Sequence, residues 1–347
     1  MSLVTVFIAW GAPVLDQTRP RPQLNQEKLL ELKIGYGGKI SLAVITVFDP
    51  WGSPLCTCPK KYSLSAYTGC GHACRYCYIS AYIPDAFRGR VKEGFITRLQ
   101  RDLGRINPGL HVSMANSSDP YNPLEAEFQL TRRALQILLS RGFRVQLITK
   151  SDLLLRDLDL IRRGNCSVSM SITTLDEGVA KRLEPNAPSP SERLKAIQRL
   201  VREGVPCSIR MDPIIPGITD HGLEGLVKLI AESGVSHIVA STYKAKRDSF
   251  HRVITAFPEL EEKLTQLYWI DGEHVGRAQY LPKKFREGIL TSLKDVVERD
   301  GMTYATCREG IPRLQSARTC DGSHLIPNRL KAHSQRSTLL VSDEGPV

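Results

Sequence analysis

From residue 62 onward the apolar positions switch repeatedly between two spacings. Short β-branched and apolar runs at 62–66, 111–115, 144–149, 166–172, 207–211 and 237–241 predict strands. Between them lie stretches whose apolar residues recur at helical spacing. The clearest is 191–203, with Leu194, Ile197, Leu200 and Val201 on one face. Ser189 is placed to cap it, Pro190 takes the first helical position, Glu192 completes a capping box and Gly204 supplies the stop. The stretch 223–233 repeats the pattern ahead of Gly234, with Leu226, Val227, Leu229 and Ile230 inward, and 130–140 does so ahead of Gly142.

Strand–helix alternation implies successive parallel strands, because parallel neighbours need crossover connections and those are right-handed. Six such units predict an α/β fold, a partial (β/α)6 barrel over residues 55–245. Residues 1–54 read as an N-terminal β-containing extension, with β-like runs at 4–10 and 39–48 and a turn cluster at 49–54. Residues 246–330 read as an α-rich, Cys-containing C-terminal extension, with helices at 251–268 and 281–299 and a strand at 302–305. The polar, aperiodic stretch 331–347 reads as a disordered tail. No tandem repeat interrupts this order.

Composition changes the picture little. The 347 residues, 41% apolar and 24% charged, are those of an ordinary soluble protein with a large core. The apolar stretch 1–15 is too short to span a bilayer, lacks a positive leader and contains Gly11 and Pro13, so a cytoplasmic, non-membrane protein is expected. A net charge of +11 suits a polyanionic partner. Nine cysteines without a regular framework point to a reducing compartment and thiol ligands rather than disulfides.

Three of these thiols, Cys70, Cys74 and Cys77, fall in one short loop after the first strand, spaced Cys-x3-Cys-x2-Cys. Such a loop can wrap a metal centre, and thiolates suit iron and zinc. The same spacing would fit a buried helical stripe, but Gly69, Gly71, His72 and Arg75 oppose one. A zinc site with a remote fourth ligand also fits. If the centre is a cubane iron–sulfur cluster, three protein ligands leave one iron open.

Function in parallel barrels collects at the carboxyl ends of the strands. Here those ends carry Ser117, Ser118 and Asp119 after the second strand, Lys150 after the third, Ser171 on the fourth and Arg210 on the fifth. Asp119 with Ser117 or Ser118 suits an ammonium, and Lys150 with Ser171 a carboxylate, of a ligand chelating the open iron. Plain turn and cap chemistry is the competing reading, with Thr174 as a cap for 175–181.

The cysteine motif, with Tyr76 before its third thiol, resembles that of the radical S-adenosylmethionine (radical SAM) superfamily. The likeness extends to Ser118-Asp119-Pro120-Tyr121-Asn122-Pro123, Ile148-Thr149-Lys150-Ser151, Glu184-Pro185-Asn186 and Pro213-Ile214-Ile215-Pro216-Gly217. Together these are similar to the spore-photoproduct-lyase-related, DNA-repair-photolyase-like branch. The resemblance implies a 4Fe–4S cluster on Cys70, Cys74 and Cys77, with S-adenosylmethionine meeting Tyr76, Ser118 or Asp119, and Lys150. It implies reductive cleavage to a 5′-deoxyadenosyl radical that abstracts a substrate hydrogen, and a reductant protein such as a flavodoxin or ferredoxin. It does not supply the reaction: the namesake enzymes carry a hydrogen-donating cysteine after the second strand, and residues 116–121 contain none.

Cys56, Cys58, Cys307 and Cys320 are left over, with His324 as a spare donor. One reading is a second metal centre, zinc or an auxiliary cluster; the other is four separate small residues, one a redox or hydrogen-donor thiol. Cys166 and Cys207 fall inside strand patterns and read as core. Basic clusters at 88–92 and 244–247 read either as phosphate contacts or as solvated faces. The leading expectation is a radical SAM enzyme acting on a nucleic acid, tRNA or DNA. A protein or peptide substrate is the alternative, and a non-catalytic, zinc-stapled nucleic-acid-binding protein the alternative of another class.

Overall fold

The computed structural model describes residues 43–48, 53–114 and 117–329. Twelve strands occur among them: β1 Ile45–Val47, β2 Tyr62–Leu64, β3 Tyr67–Thr68, β4 Arg90–Val91, β5 Val112–Met114, β6 Val145–Thr149, β7 Cys166–Ser171, β8 Cys207–Ile214, β9 His237–Thr242, β10 Glu273–Val275, β11 Ala278–Tyr280 and β12 Thr303–Thr306. Eight form one sheet in the order β1-β2-β5-β6-β7-β8-β9-β12. Neighbours from β2 to β12 pair in parallel, and β1 pairs antiparallel with β2. The sheet does not close on itself, which agrees with the partial barrel expected. The antiparallel pairs β3–β4 and β10–β11 stand apart from it.

The two faces of this sheet differ chemically. Val145 and Leu147, Val168 and Met170, and Ile209 and Met211 are buried in one apolar core. Against them pack Leu135 and Leu138 of helix Leu130–Ser140, Ile197 and Leu200 of helix Pro190–Arg202, and Val227 and Ile230 of helix Leu223–Glu232. Each such side chain contributes roughly 1.5–3 kcal/mol when fully buried. The alternate positions are polar: Gln146 on β6, Ser169 and Ser171 on β7, Ser208, Arg210 and Asp212 on β8. Ser208 Oγ donates to Ser169 Oγ at 2.9 Å. Parallel strands are usually apolar on both faces; here the second face lines a polar interior.

The helix Pro190–Arg202 has the cap its sequence implies, with Ser189 accepting from the Glu192 N–H at 3.3 Å and Glu192 returning to the Ser189 N–H at 2.7 Å. Elsewhere local chemistry shifts the expected boundaries. Strand β8 runs past residue 211 to Ile214, its register shifting between Met211 and Ile214, where Pro213 has no N–H to donate. The single helix expected at 251–268 is instead Arg247–Ala256, then Glu261–Thr265 and a π-helical turn Gln266–Ile270. Phe257, preceding Pro258, leaves the helical region at φ −135°, ψ 65°, and so breaks it. Thr174 does not cap the helix after β7. That helix is Glu177–Leu183, capped by Asp176, which accepts from the Val179 N–H at 2.8 Å, while Thr174 Oγ1 accepts from the Asp176 N–H at 3.1 Å. Helix Phe95–Leu103, buried through Phe95, Leu99 and Leu103, has no counterpart among the elements expected from the sequence. The run at 4–10 and the tail 331–347 lie outside the described residues, and of the run at 39–48 only its end is described.

Candidate active site

The Cys70–Cys77 loop leaves β3 through Gly69, whose φ is +73°. A Cβ there would stand 2.5 Å from the Arg88 carbonyl oxygen, so no other residue fits this turn. The Cys70 N–H then donates to Ala86 O at 2.8 Å. Other elements hold the rest of the loop. The Arg75 N–H donates to Leu183 O at 2.7 Å, and Asn186 donates from Nδ2 to Gly71 O at 2.9 Å. Arg252, on helix Arg247–Ala256, donates to Arg75 O at 3.1 Å and to Cys77 O at 2.8 Å.

All three thiols are free and line one cavity of about 140 Å³. Burial pushes the Cys70 thiol up to about 12, helped by the Asp119 charge. Burial also raises Cys77, and burial followed by the Glu184 charge raises Cys74 well above the ordinary thiol range. A metal that binds here displaces protons from them. Among the described residues, no three His, Cys, Asp or Glu side chains are gathered closely enough to hold a single metal ion.

The strand-end residues meet the cysteines at this cavity. Ser117, Ser118, Asp119, Lys150 and Ser171 all line it. Asp119 is largely committed to the protein: its carboxylate accepts from Thr149 Oγ1 at 2.6 Å, the Tyr121 N–H at 2.9 Å and the Lys150 N–H at 2.8 Å, and His72 Nδ1 lies 3.7 Å away. It therefore fastens the end of β6 to the loop after β5. Ser118 is the opposite case. Its hydroxyl is buried and has no hydrogen-bond partner.

Lys150 is buried, which by itself would lower its pKa, but the charges of Glu184 and then Cys74 hold it above the ordinary lysine value. Its ammonium stands 5.5 Å from the centre of the Tyr76 ring. Behind that ring the Tyr76 hydroxyl donates to Glu184, and Glu184 pairs with Arg193. Burial opposes ionisation of Glu184, but Arg193 and Lys150 keep it below the usual carboxylate range. Arg193 also donates to Pro188 O at 2.8 Å and to Ser171 O at 3.1 Å, so one buried guanidinium joins the end of β7 to the segment behind the cysteines.

Tyr76, Cys77, Tyr78, Lys150 and Ser171 also border a second, larger cavity of about 240 Å³. Arg210 lies there rather than with the three thiols, paired to Asp212 at 2.7 Å. On the far side Glu309 accepts from the Thr242 N–H at 2.7 Å and pairs with Lys244 and, at 3.3 Å, with Arg286. This buried node ties the segment after β12 to the end of β9. Of the basic clusters, Arg90 is spent partly on the carbonyl of Pro84 at 2.9 Å, whereas Lys244 borders the larger cavity.

Glu184, Arg193, Asn186 and Arg252 were not assigned as site residues from the sequence. One signal was available for Arg193: it falls on the same helical stripe as Ala196, Ile197 and Leu200, where an unpaired charge would be costly.

Residues 64–230 match the family model described as the Radical SAM superfamily. An uncharacterized protein of Methanocaldococcus jannaschii is 32% identical over 165 residues, 46% of this chain and 62% of that protein. The chain therefore matches less than two thirds of that relative's length. An uncharacterized protein of Mycobacterium tuberculosis is 28% identical over 249 residues, covering 66% of this chain and 71% of the relative. The radical SAM Nalpha-GlyT isomerase of Pseudomonas phage M6 is 23% identical over 254 residues, covering 69% and 52%. Among solved structures, spore photoproduct lyase complexed with dinucleoside spore photoproduct superposes with a TM-score of 0.53 at 19% identity, covering 70% of this chain and 75% of that one. That likeness is one of fold.

Proposed function

We propose that this chain, whose residues 64–230 form a radical SAM domain, is a radical SAM enzyme that modifies or repairs a nucleic acid, tRNA or DNA. The observation that carries the cofactor assignment is the small cavity where Cys70, Cys74 and Cys77 meet the unpaired hydroxyl of Ser118 and the ammonium of Lys150. A cubane cluster holds its thiolates at separate corners, so thiols framing a cavity suit it without converging on one point. When bound, the cluster and S-adenosylmethionine supply a one-electron cleavage and a carbon radical able to remove a substrate hydrogen.

The chain's own residues hold and shield that chemistry. Asn186 and Arg252 fix the carbonyls of the thiol loop. Ser118, with no partner inside the protein, is free to bond the amino-acid end of the ligand, and making that bond removes the cost of a buried unpaired hydroxyl. Lys150 offers a buried positive charge to a carboxylate. Ser117 and Ser171 line the same space, and Tyr76 separates Lys150 from the Glu184–Arg193 pair. Arg210 borders the adjoining cavity, where the remainder of the ligand and the substrate have room.

The nucleic-acid reading rests on the net charge of +11 and on the fold shared with a lyase complexed with a dinucleoside spore photoproduct. Radical SAM enzymes need a reductant, and a small flavodoxin or ferredoxin is the expected kind. No helix among the described residues is long and apolar enough to cross a membrane.

The experiment has two arms. Anaerobically purified protein is expected to be brown and to form 5′-deoxyadenosine from S-adenosylmethionine and dithionite, and Cys74→Ala to abolish this. Colourless, zinc-only protein would overturn the enzyme reading. Mass spectrometry of tRNA and DNA nucleosides, and of tryptic peptides, from cells with and without the gene tests the substrate. A nucleoside that changes supports the proposal, and a peptide that changes in its place overturns the nucleic-acid part.

A further inference from the structure

Four cysteines outside the thiol loop meet at one place, although they come from opposite ends of the described chain. Cys56 and Cys58 precede β2, while Cys307 and Cys320 follow β12, and all four line the larger cavity. The sulfurs of Cys58 and Cys320 are 3.5 Å apart, and Cys56, two residues before Cys58, borders the same cavity. All four are free thiols, and 3.5 Å is far beyond the roughly 2.05 Å of a disulfide.

Contacts that involve no sulfur fix this meeting. Lys61 pairs with Asp321 at 2.6 Å, and Gln146 Nε2 donates to Asp321 O at 2.5 Å. Gln315 Nε2 donates to Thr57 Oγ1 at 3.1 Å. Gly322, at φ +77°, lies so close to the inner face of the sheet that a Cβ would stand 3.0 Å from Ser208 Oγ. The thiols are thus held together by the fold of both terminal segments.

Cysteines that merely fill space look different in this molecule. Cys166 and Cys207 are buried in the apolar core. Cys56, Cys58, Cys307 and Cys320 instead border a cavity that also presents Lys61, Arg210, Lys244 and Arg308. Lys61 Nζ is 3.8 Å from Cys58 Sγ, and Arg210 lines the same cavity as Cys307. Cations around sulfur stabilise thiolates, the form that binds metal.

We propose that Cys56, Cys58, Cys307 and Cys320 bind a second metal centre through four thiolates, an iron–sulfur cluster, which fastens both terminal segments across the inner face of the sheet. The four sulfurs border one cavity without converging on a single point, which suits a cluster rather than a lone ion. The site is independent of the first three thiols and of the substrate reading.

The test uses the full chain with Cys70→Ala, Cys74→Ala and Cys77→Ala combined, purified anaerobically, so that failure of the cofactor assignment leaves the readout untouched. Elemental analysis is expected to find about four irons per chain together with iron–sulfur absorption in the visible, and zinc without iron would overturn the proposal. Adding Cys58→Ser and Cys320→Ser is expected to lower that metal at least tenfold. X-ray absorption at the metal edge gives a second readout that needs no further variant, with a first shell of sulfur only. Folded triple variant without stoichiometric metal, or a first shell rich in nitrogen or oxygen, would overturn the proposal. So would metal that survives the two serine substitutions.

Discussion

Asn186 holds the thiol loop from behind: its Nδ2 donates to Gly71 O at 2.9 Å while its N–H donates to His72 O at 3.3 Å. The side-chain bond ties one backbone carbonyl of the loop between β3 and the short helix at Tyr78–Ala81, beside the bonds that Leu183 and Arg252 make to it further along. Asn186→Ala removes that bond at a net cost of about 1 kcal/mol, which moves the thermal midpoint by at most a few degrees in a chain of this size. The larger effect is expected on the loop itself. Iron should leave this variant faster under a chelator than wild type, by several-fold, as followed by loss of visible absorption. Equal rates would show that the loop holds its shape without Asn186.

Ser118 separates a structural role from a binding one. Its buried hydroxyl has no partner in the protein, so Ser118→Ala loses no internal hydrogen bond and removes an unsatisfied group. The variant is expected to be as stable as wild type, or more so, in urea unfolding. Affinity for S-adenosylmethionine, measured by calorimetry on cluster-loaded protein, is expected to fall about tenfold, the loss of roughly 1.4 kcal/mol. Unchanged affinity would remove Ser118 from the cofactor site.

What could be read from the sequence, and what could not, divides along local and long-range physics. The Ser189–Glu192 capping box and the strand–helix alternation depend on neighbours in sequence, and they are found where expected. The spacing of Cys70, Cys74 and Cys77 is equally local, as is the polar character of the strand ends. Partnerships across the chain left no such trace. Asp119 reads as a free carboxylate until Thr149 and the Lys150 N–H are seen to occupy it. Glu184 shows its importance only when Arg193, Lys150 and Tyr76 close around it. The alternation of Gln146 with Leu147, or of Ser208 with Ile209, gives the sheet one polar face, and it took the structure to show that this face marks the interior that the site occupies.

The Glu184–Arg193 pair predicts a sharp asymmetry between substitutions. Both side chains are almost fully buried, 1% exposed each. Glu184→Gln leaves the buried charges of Arg193 and Lys150 without the carboxylate that offsets them, and breaking a buried pair on one side costs about 3–5 kcal/mol. Replacing both charges, Glu184→Gln with Arg193→Met, removes the uncompensated guanidinium and is expected to recover a good part of that loss. Chemical denaturation of the two single variants and the double variant measures the coupling. Additive losses would mean that the pair does not act as a unit.

Acid sensitivity follows from His237, whose Nδ1 is 2.9 Å from Thr303 Oγ1 between β9 and β12, and whose Nε2 is buried without a partner. Burial, then the neighbouring His324, lowers its pKa from 6.5 to about 4. The unfolded chain therefore takes up a proton here below about pH 6.5 that the folded chain refuses until about pH 4. More protons on the unfolded side mean that stability falls as pH drops through this window and levels off below it. One such group gives a slope of at most about 1.4 kcal/mol per pH unit. His111, lowered to about 4 chiefly by burial, adds a second of the same sign. In urea unfolding between pH 7 and 4, His237→Gln is expected to lose close to half of the slope that the two histidines supply. An unchanged slope would place the acid-sensitive proton elsewhere.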